Sequence, residues 1–128
     1  MLHNDVLLKA YELMCIAKEM AATYESNRQT CKYVHATSRG HEAIQLATAF
    51  QLLPCDYVSP YYRDETMLLG LGFTHSEFML QLLAKGYDIF TGGREYSFTP
   101  HYKGAANSNL LHNSSAPGMT QLPPPGIT

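Results

Sequence analysis

Apolar positions recur at helical spacing through the first part of the chain. From residue 5 to about 25, Leu7, Ala10/Tyr11, Met14, Ala17 and Ala21 form one stripe, with Asn4 or Asp5 placed to cap it. Leu8, Leu13, Ile16 and Met20 widen that stripe beyond one core face, so this helix is either central to a core or shared with another subunit. Its polar face carries Lys9, Glu12, Lys18, Glu19 and Glu25. Residues 26–37 are polar and irregular. A second helix starts near Ser38 or Arg39, with Ser38 as N-cap and Glu42 in the first turn, where it complements the helix dipole. Ala43, Ile44, Leu46, Ala47 and Phe50 give it a compact apolar stripe, and Pro54 stops further helix. Tyr57-Val58, before Ser59-Pro60, reads as a short extended segment. A third helix over residues 63–71 ends at Gly70 or Gly72. A fourth opens on Thr74-His75-Ser76-Glu77, a capping box, and runs through Phe78, Met79, Leu82 and Leu83 to Gly86.

The pattern then changes. From Thr91 onward come TGGRE, Pro100, GAANSN, NSS, APG and LPPPG, all turn and loop signals. The chain thus divides into a helical region, 1–90, and a loop-rich region, 91–128, in which Leu110-Leu111 is the main apolar anchor. So long a loop is uncommon in a compact fold unless it is functional. The expected class is mostly α.

Composition narrows the function classes. The 128 residues fit one domain, able to bury roughly two-thirds of its unfolded surface. Hydrophobic residues make up 45%, which describes a globular chain, and charged residues only 16%, below the usual ~25%. A surface short of charge points to a face covered by a partner. A net charge of −2 provides no basic field for nucleic acid or anionic membrane. Cys15, Cys31 and Cys55 are odd in number and widely spaced, which fits three reduced thiols better than a disulfide framework or a zinc site. MLHNDVLLKA lacks a charged start followed by a clean apolar core, so no signal peptide is expected. No uncharged run reaches the ~18 residues that a membrane span needs. The expected location is a bacterial cytoplasm or an organelle matrix.

Two places carry candidate chemistry. Tyr62 and Arg63 sit where the extended segment meets a helix; a tyrosine hydroxyl and a planar guanidinium at a helix N-terminus suit a phosphate. The alternative is a surface arginine paired with Asp64 or Glu65. Ser115, Thr120 and Gln121 bring oxygen ligands together in a turn-rich stretch, the ligand type of a hard cation, although serine and threonine are common in any loop. The six histidines do not cluster; His41 and His75 fall in first helical turns, and His101 lies in a loop.

Taken together, TSRGHEAIQLATAF (37–50), SPYYRDETMLLGLGFTHSEFMLQLLAK (59–85), GGRE (92–95), PHY (100–102) and SSAPGMTQLP (114–123) resemble the alpha subunit of thiamine-diphosphate-dependent 2-oxo acid dehydrogenases. That subunit belongs to the decarboxylating component of the pyruvate and branched-chain complexes. The resemblance runs from about residue 5 to 128. It implies an N-terminal helical part of an α/β thiamine-diphosphate-binding fold whose parallel sheet lies mainly beyond residue 128. The family's Tyr-Arg pair, which binds the cofactor diphosphate, falls on Tyr62 and Arg63. In branched-chain members the Ser-Ser-Pro loop holds a potassium ion, and matching on Thr-Gln-x-Pro implies ligands at Ser115, Pro117 (through its carbonyl), Thr120 and Gln121. This match places Ala116 where the family has a serine that contacts the cofactor.

The implied reaction is oxidative decarboxylation of a 2-oxo acid with acyl transfer to a lipoyl group. The implied partners are a beta subunit, separate or fused, and a lipoyl-bearing acyltransferase component. The family's magnesium motif, Gly-Asp-Gly followed by Asn, lies downstream of the Thr-Gln loop and is not found in these 128 residues. The expectation is therefore an N-terminal piece, inactive by itself, weak in cofactor binding, and aggregation-prone, loosely packed or assembled as a domain-swapped homo-oligomer. A reading from a different class also stands: a non-catalytic helical interaction module that pairs with an enzyme subunit through the apolar face of residues 6–24.

Overall fold

A computed structural model of the chain describes residues 3–31, 37–94 and 109–111. Helices α1 (Asn4–Ser26), α2 (Glu42–Ala49), α3 (Glu65–Gly70) and α4 (His75–Leu82) dominate these segments. Strand β1 (Tyr57–Val58) lies between α2 and α3 in sequence, and β2 (Asn109–Leu110) follows α4. The mostly helical class expected from the pattern is what the structure shows.

Helix α1 buries Leu13, Ala17, Met20, Ala21 and Tyr24, a single face at spacings of three and four. The wider stripe is not buried along its full length: Val6, Leu7, Leu8 and Tyr11 are exposed, so the first two turns present apolar side chains outward. Asn4 and Asp5 do not cap the helix, because both lie inside it; His3 holds the cap position and makes no side-chain cap bond.

Helix α2 starts at Glu42 rather than near Ser38. Ser38 does not act as its N-cap, since both its backbone N–H and its hydroxyl are committed to Glu65, 27 residues on. The turn before α2 closes instead through the Gly40 N–H, which donates to the Glu42 carboxylate at 2.8 Å. Helix α3 is short, and its first five residues, Glu65 to Leu69, are all buried. It packs on α2 and on α1. Arg63, expected inside this helix, lies in the turn before it.

The capping box of α4 forms as its sequence requires. The Thr74 N–H donates to Glu77 Oε2 at 2.6 Å, and the Glu77 N–H donates to Thr74 Oγ1 at 3.4 Å. The helix ends at Leu82, short of Gly86. Ala84 takes the left-handed position, φ 50°, and the Lys85 N–H closes the end on the Leu80 carbonyl at 2.9 Å.

The core continues past residue 86. Phe90 is buried and its ring stacks on Phe78, with centroids 6.1 Å apart, and meets Phe73 at 5.4 Å. The Asp88 carboxylate holds this segment in shape, accepting from the N–H groups of Phe90, Thr91 and Gly93 and from the Thr91 hydroxyl. Gly93, at φ 73°, passes so close to Ala84 that a Cβ there would sit 2.7 Å from the Ala84 carbonyl oxygen. Strands β1 and β2 pair in parallel, Tyr57 opposite Asn109 and Val58 opposite Leu110, which buries Leu110 in the core.

Candidate anion-binding site at the start of α3

The segment 61–64 joins β1 to α3 as a tight turn. The Asp64 N–H donates to the Tyr61 carbonyl at 3.0 Å, and Asp64 Oδ2 accepts the Tyr61 N–H at 2.9 Å. From α2, Gln45 Nε2 donates to the Arg63 carbonyl at 3.0 Å and to Asp64 Oδ1 at 3.1 Å. Gln45 therefore fastens the backbone of this turn to α2, while the Arg63 side chain is left to other work.

That side chain lies against two tyrosine rings. The guanidinium carbon is 5.0 Å from the Tyr62 ring centroid and 5.5 Å from that of Tyr61, within cation–π range. The two rings are 3.9 Å apart and tilted by 41°. Arg63 Nη2 also donates to the Tyr62 hydroxyl at 3.4 Å. The three residues are half-buried. The ion pairs among the described residues are His3–Asp5, Lys9–Glu12 and Arg39–Glu25, so neither Asp64 nor Glu65 pairs with Arg63. The surface-pair alternative is not what forms. A guanidinium stacked on aromatic rings, with no carboxylate paired to it among the described residues, has a donor fork suited to two oxygens of an anion.

The neighbouring carboxyls are biased toward neutrality. Burial pushes Asp64 above the usual carboxylate range, against the pull of the Tyr61 N–H, Arg63 and His41. Burial likewise pushes Glu65 up to about 7, despite two hydrogen bonds from Ser38 that favour its charged form, and nearby Glu42 adds to the rise. The Tyr61 phenol is raised as well, chiefly by its hydrogen bond with the Tyr62 hydroxyl. The Glu65 shift lowers the negative charge near Arg63 at mildly acid pH, and the Asp64 shift acts in the same direction.

Tyr62 and Arg63, expected where an extended segment meets a helix, lie in the turn just before α3. Sequence reasoning did not find Gln45, Asp64, Ser38 and Glu65, which shape and support the turn. One signal existed: Glu65 precedes Leu68 and Leu69 by three and four residues, an acidic side chain on the apolar stripe of α3. His41 and His75 are exposed, as their positions implied. Ser115, Ala116, Pro117, Thr120, Gln121 and His101 lie outside the described residues. Among the described residues no cluster of three or more His, Cys, Asp or Glu side chains is placed to hold a metal ion. No described helix is long and apolar enough to cross a membrane.

Comparison with known proteins shows the family of the chain. The family described as "Dehydrogenase E1 component" matches residues 11–123. The chain is 38% identical over 123 residues to 2-oxoisovalerate dehydrogenase subunit alpha 1, mitochondrial, of Arabidopsis thaliana, covering 94% of this chain and 25% of that protein. It is 38% identical over 86 residues to 2-oxoisovalerate dehydrogenase subunit alpha of Bacillus subtilis (strain 168), covering 66% of this chain and 25% of that one. The subunit alpha of Caenorhabditis elegans is 32% identical over 117 residues, covering 91% of this chain and 26% of the relative. The chain spans about a quarter of the length of these curated relatives. No solved structure matches. A family match over most of the chain and alpha subunits on each of these alignments lead to one conclusion: the chain belongs to the dehydrogenase E1 component family, as a relative of the 2-oxo acid dehydrogenase alpha subunits.

Proposed function

We propose that this chain forms part of the decarboxylating component of a 2-oxo acid dehydrogenase of branched-chain type, and that Tyr62 and Arg63 hold the diphosphate of thiamine diphosphate. The observation that carries the reading is the Arg63 guanidinium, stacked on Tyr61 and Tyr62, bonded to the Tyr62 hydroxyl and unpaired with any carboxylate among the described residues. A diphosphate asks for a bidentate cation and a hydroxyl donor, and both are present at one turn. The family depends on thiamine diphosphate. When bound, that cofactor supplies the organic chemistry of decarboxylation.

The residues of the chain perform the positioning. Gln45 and Asp64 fix the turn, the two rings limit the freedom of the guanidinium, and the raised carboxyls beside it lower the repulsion that an anion meets. The names of the relatives, all 2-oxoisovalerate dehydrogenase alpha subunits, support the branched-chain type and a mitochondrial or bacterial setting, and the reaction proposed with them is oxidative decarboxylation with acyl transfer to a lipoyl group. On this reading the partners are a beta subunit and a lipoyl-bearing acyltransferase component, and Ser115, the Pro117 carbonyl, Thr120 and Gln121 form a potassium site. Among the described residues no cluster of three or more His, Cys, Asp or Glu side chains could hold magnesium.

In the enzyme assembled around this chain, Arg63→Ala raises the thiamine diphosphate concentration needed for half-maximal rate far more than the 2-oxo acid concentration. Equal increases in both would defeat the diphosphate assignment.

A further inference from the structure

Glu65 is wholly buried, and its two oxygens have unequal surroundings. Oε1 accepts from the Ser38 N–H at 2.9 Å and from the Ser38 hydroxyl at 3.1 Å. The same hydroxyl is hydrogen-bonded to Thr66 Oγ1. Oε2 is buried with no hydrogen-bond partner among the described residues. Among the described residues no cation pairs with Glu65. Tyr24 reaches it electrostatically from α1 as a phenol that burial keeps protonated, and Glu42 from α2 is acidic. Arg39, next to Ser38, is engaged by Glu25 at 3.3 Å. An ionised carboxylate here would be a buried charge with no counter-ion, an arrangement far more costly than a neutral carboxyl.

We propose that Glu65 is a positioning residue for the Tyr62–Arg63 clamp: while neutral its buried carboxyl keeps the start of α3 seated on the Ser38 turn, and ionisation, which leaves Oε2 as an unsolvated charge, draws the start of α3 outward against the Ser38 bonds. The proposal rests on the diphosphate reading above. Arg63 is two residues before Glu65, in the turn that Gln45 holds from the α2 side. The Ser38 latch holds the other side of the same junction. Once ionised, the carboxylate is solvated only if the start of α3 moves outward, and that movement strains the Tyr61–Asp64 turn. The upward shift of this carboxyl to about 7 agrees with the geometry.

The test uses the 128-residue chain as wild type, Glu65→Gln, Ser38→Ala and Arg63→Ala. Without ligand, the amide resonances of Ser38 and Arg63 are followed by NMR from acid to alkaline pH. In the wild type they share a titration step near neutral pH; in Glu65→Gln, an uncharged isostere, that shared step is lost, and the Arg63 amide retains only the more acidic step of Asp64. Ser38→Ala removes one donor to the charged form, so the titration midpoint rises. Inorganic pyrophosphate affinity is then measured by calorimetry below and above that midpoint. The affinity of Glu65→Gln relative to wild type is near one on the acid side. One pH unit above the midpoint it exceeds wild type by up to about tenfold, the limit for linkage to one proton. The ratio cancels the titration of pyrophosphate itself.

Glu65→Gln resonances that titrate like wild type, or an affinity ratio that stays at one, would overturn the proposal. So would a midpoint that Ser38→Ala leaves unchanged or lowers. Undiminished pyrophosphate binding by Arg63→Ala would remove the clamp itself. That failure is distinguishable, because the ligand-free titration is read without any binding.

Discussion

Gly70 of α3 meets Ala49 of α2 with no space for a side chain: a Cβ on Gly70 would lie 2.6 Å from the Ala49 Cβ and 3.1 Å from Leu46 Cδ2. Helix propensity favours alanine over glycine by about 1 kcal/mol, but overpacking costs typically about 1–3 kcal/mol, and here the neighbour is a methyl group that cannot swing aside. Gly70→Ala is therefore expected to lower stability by up to about 2 kcal/mol in urea unfolding. Adding Ala49→Gly should recover part of that loss, since the two sites are in contact and their effects are not additive.

The cap of α4 stands apart from the site. Thr74→Ala removes the hydroxyl that accepts from the Glu77 N–H and donates to the Glu77 carboxylate, and a cost of about 1 kcal/mol is expected. Pyrophosphate affinity should be unaffected. A large change in affinity with intact stability would place α4 in the site.

Arg63→Lys separates charge from shape. Lysine keeps the positive charge but loses the planar fork and its stacking on Tyr61 and Tyr62. A fall in pyrophosphate affinity of about thirtyfold is expected for two lost hydrogen-bond geometries near 1 kcal/mol each, with little change in melting temperature. Tyr62→Phe, which loses a single hydroxyl, should cost about fivefold at most. Calorimetric titration checks both.

Glu65 gives stability a particular pH dependence. Its carboxyl is raised in the folded chain from an ordinary 4.5 to about 7, so the folded state holds its proton more tightly than the unfolded state. The resulting stabilisation is complete below about pH 4.5 and is lost as pH rises through 7, on the order of 3 kcal/mol over that window. Asp64 shifts in the same direction and adds to the trend. Melting temperature should fall from pH 4.5 to 7.5, and Glu65→Gln should flatten most of the slope. A wild-type melting temperature that rises over this window would reverse the assignment.

The elements that could be read from the sequence are those whose causes are local. The α4 capping box needs only Thr74 and Glu77, and the periodicity of α1 shows its core face without knowledge of any neighbour. What escaped was non-local. Ser38 has the chemistry of a cap and stands four residues before α2, yet Glu65 claims both of its donors from 27 positions away. Gln45 reads as an ordinary polar helix residue until the fold brings the Arg63 carbonyl to it. Phe90 sits in a turn-rich stretch whose local signals give no hint of the ring cluster with Phe73 and Phe78. The Tyr62–Arg63 pair was legible because its two members are adjacent and their flanks are ordered. The posture of the pair, a cation laid across two rings, is a product of packing.

The parallel pairing of β1 with β2 sets an order of events on the chain. Val58 and Leu110 come together only when the intervening polypeptide has closed a loop, and the entropy of that closure grows with the logarithm of its length. Helices α3 and α4 lie within that interval and shorten it as they form, so the strand pair is expected to close late and to open first. The Leu111 N–H, donated to the Val58 carbonyl at 2.8 Å, reports on this closure. In native-state hydrogen exchange it should exchange well before the backbone amides of α3, which marks the strand pair as the seam along which the molecule comes apart.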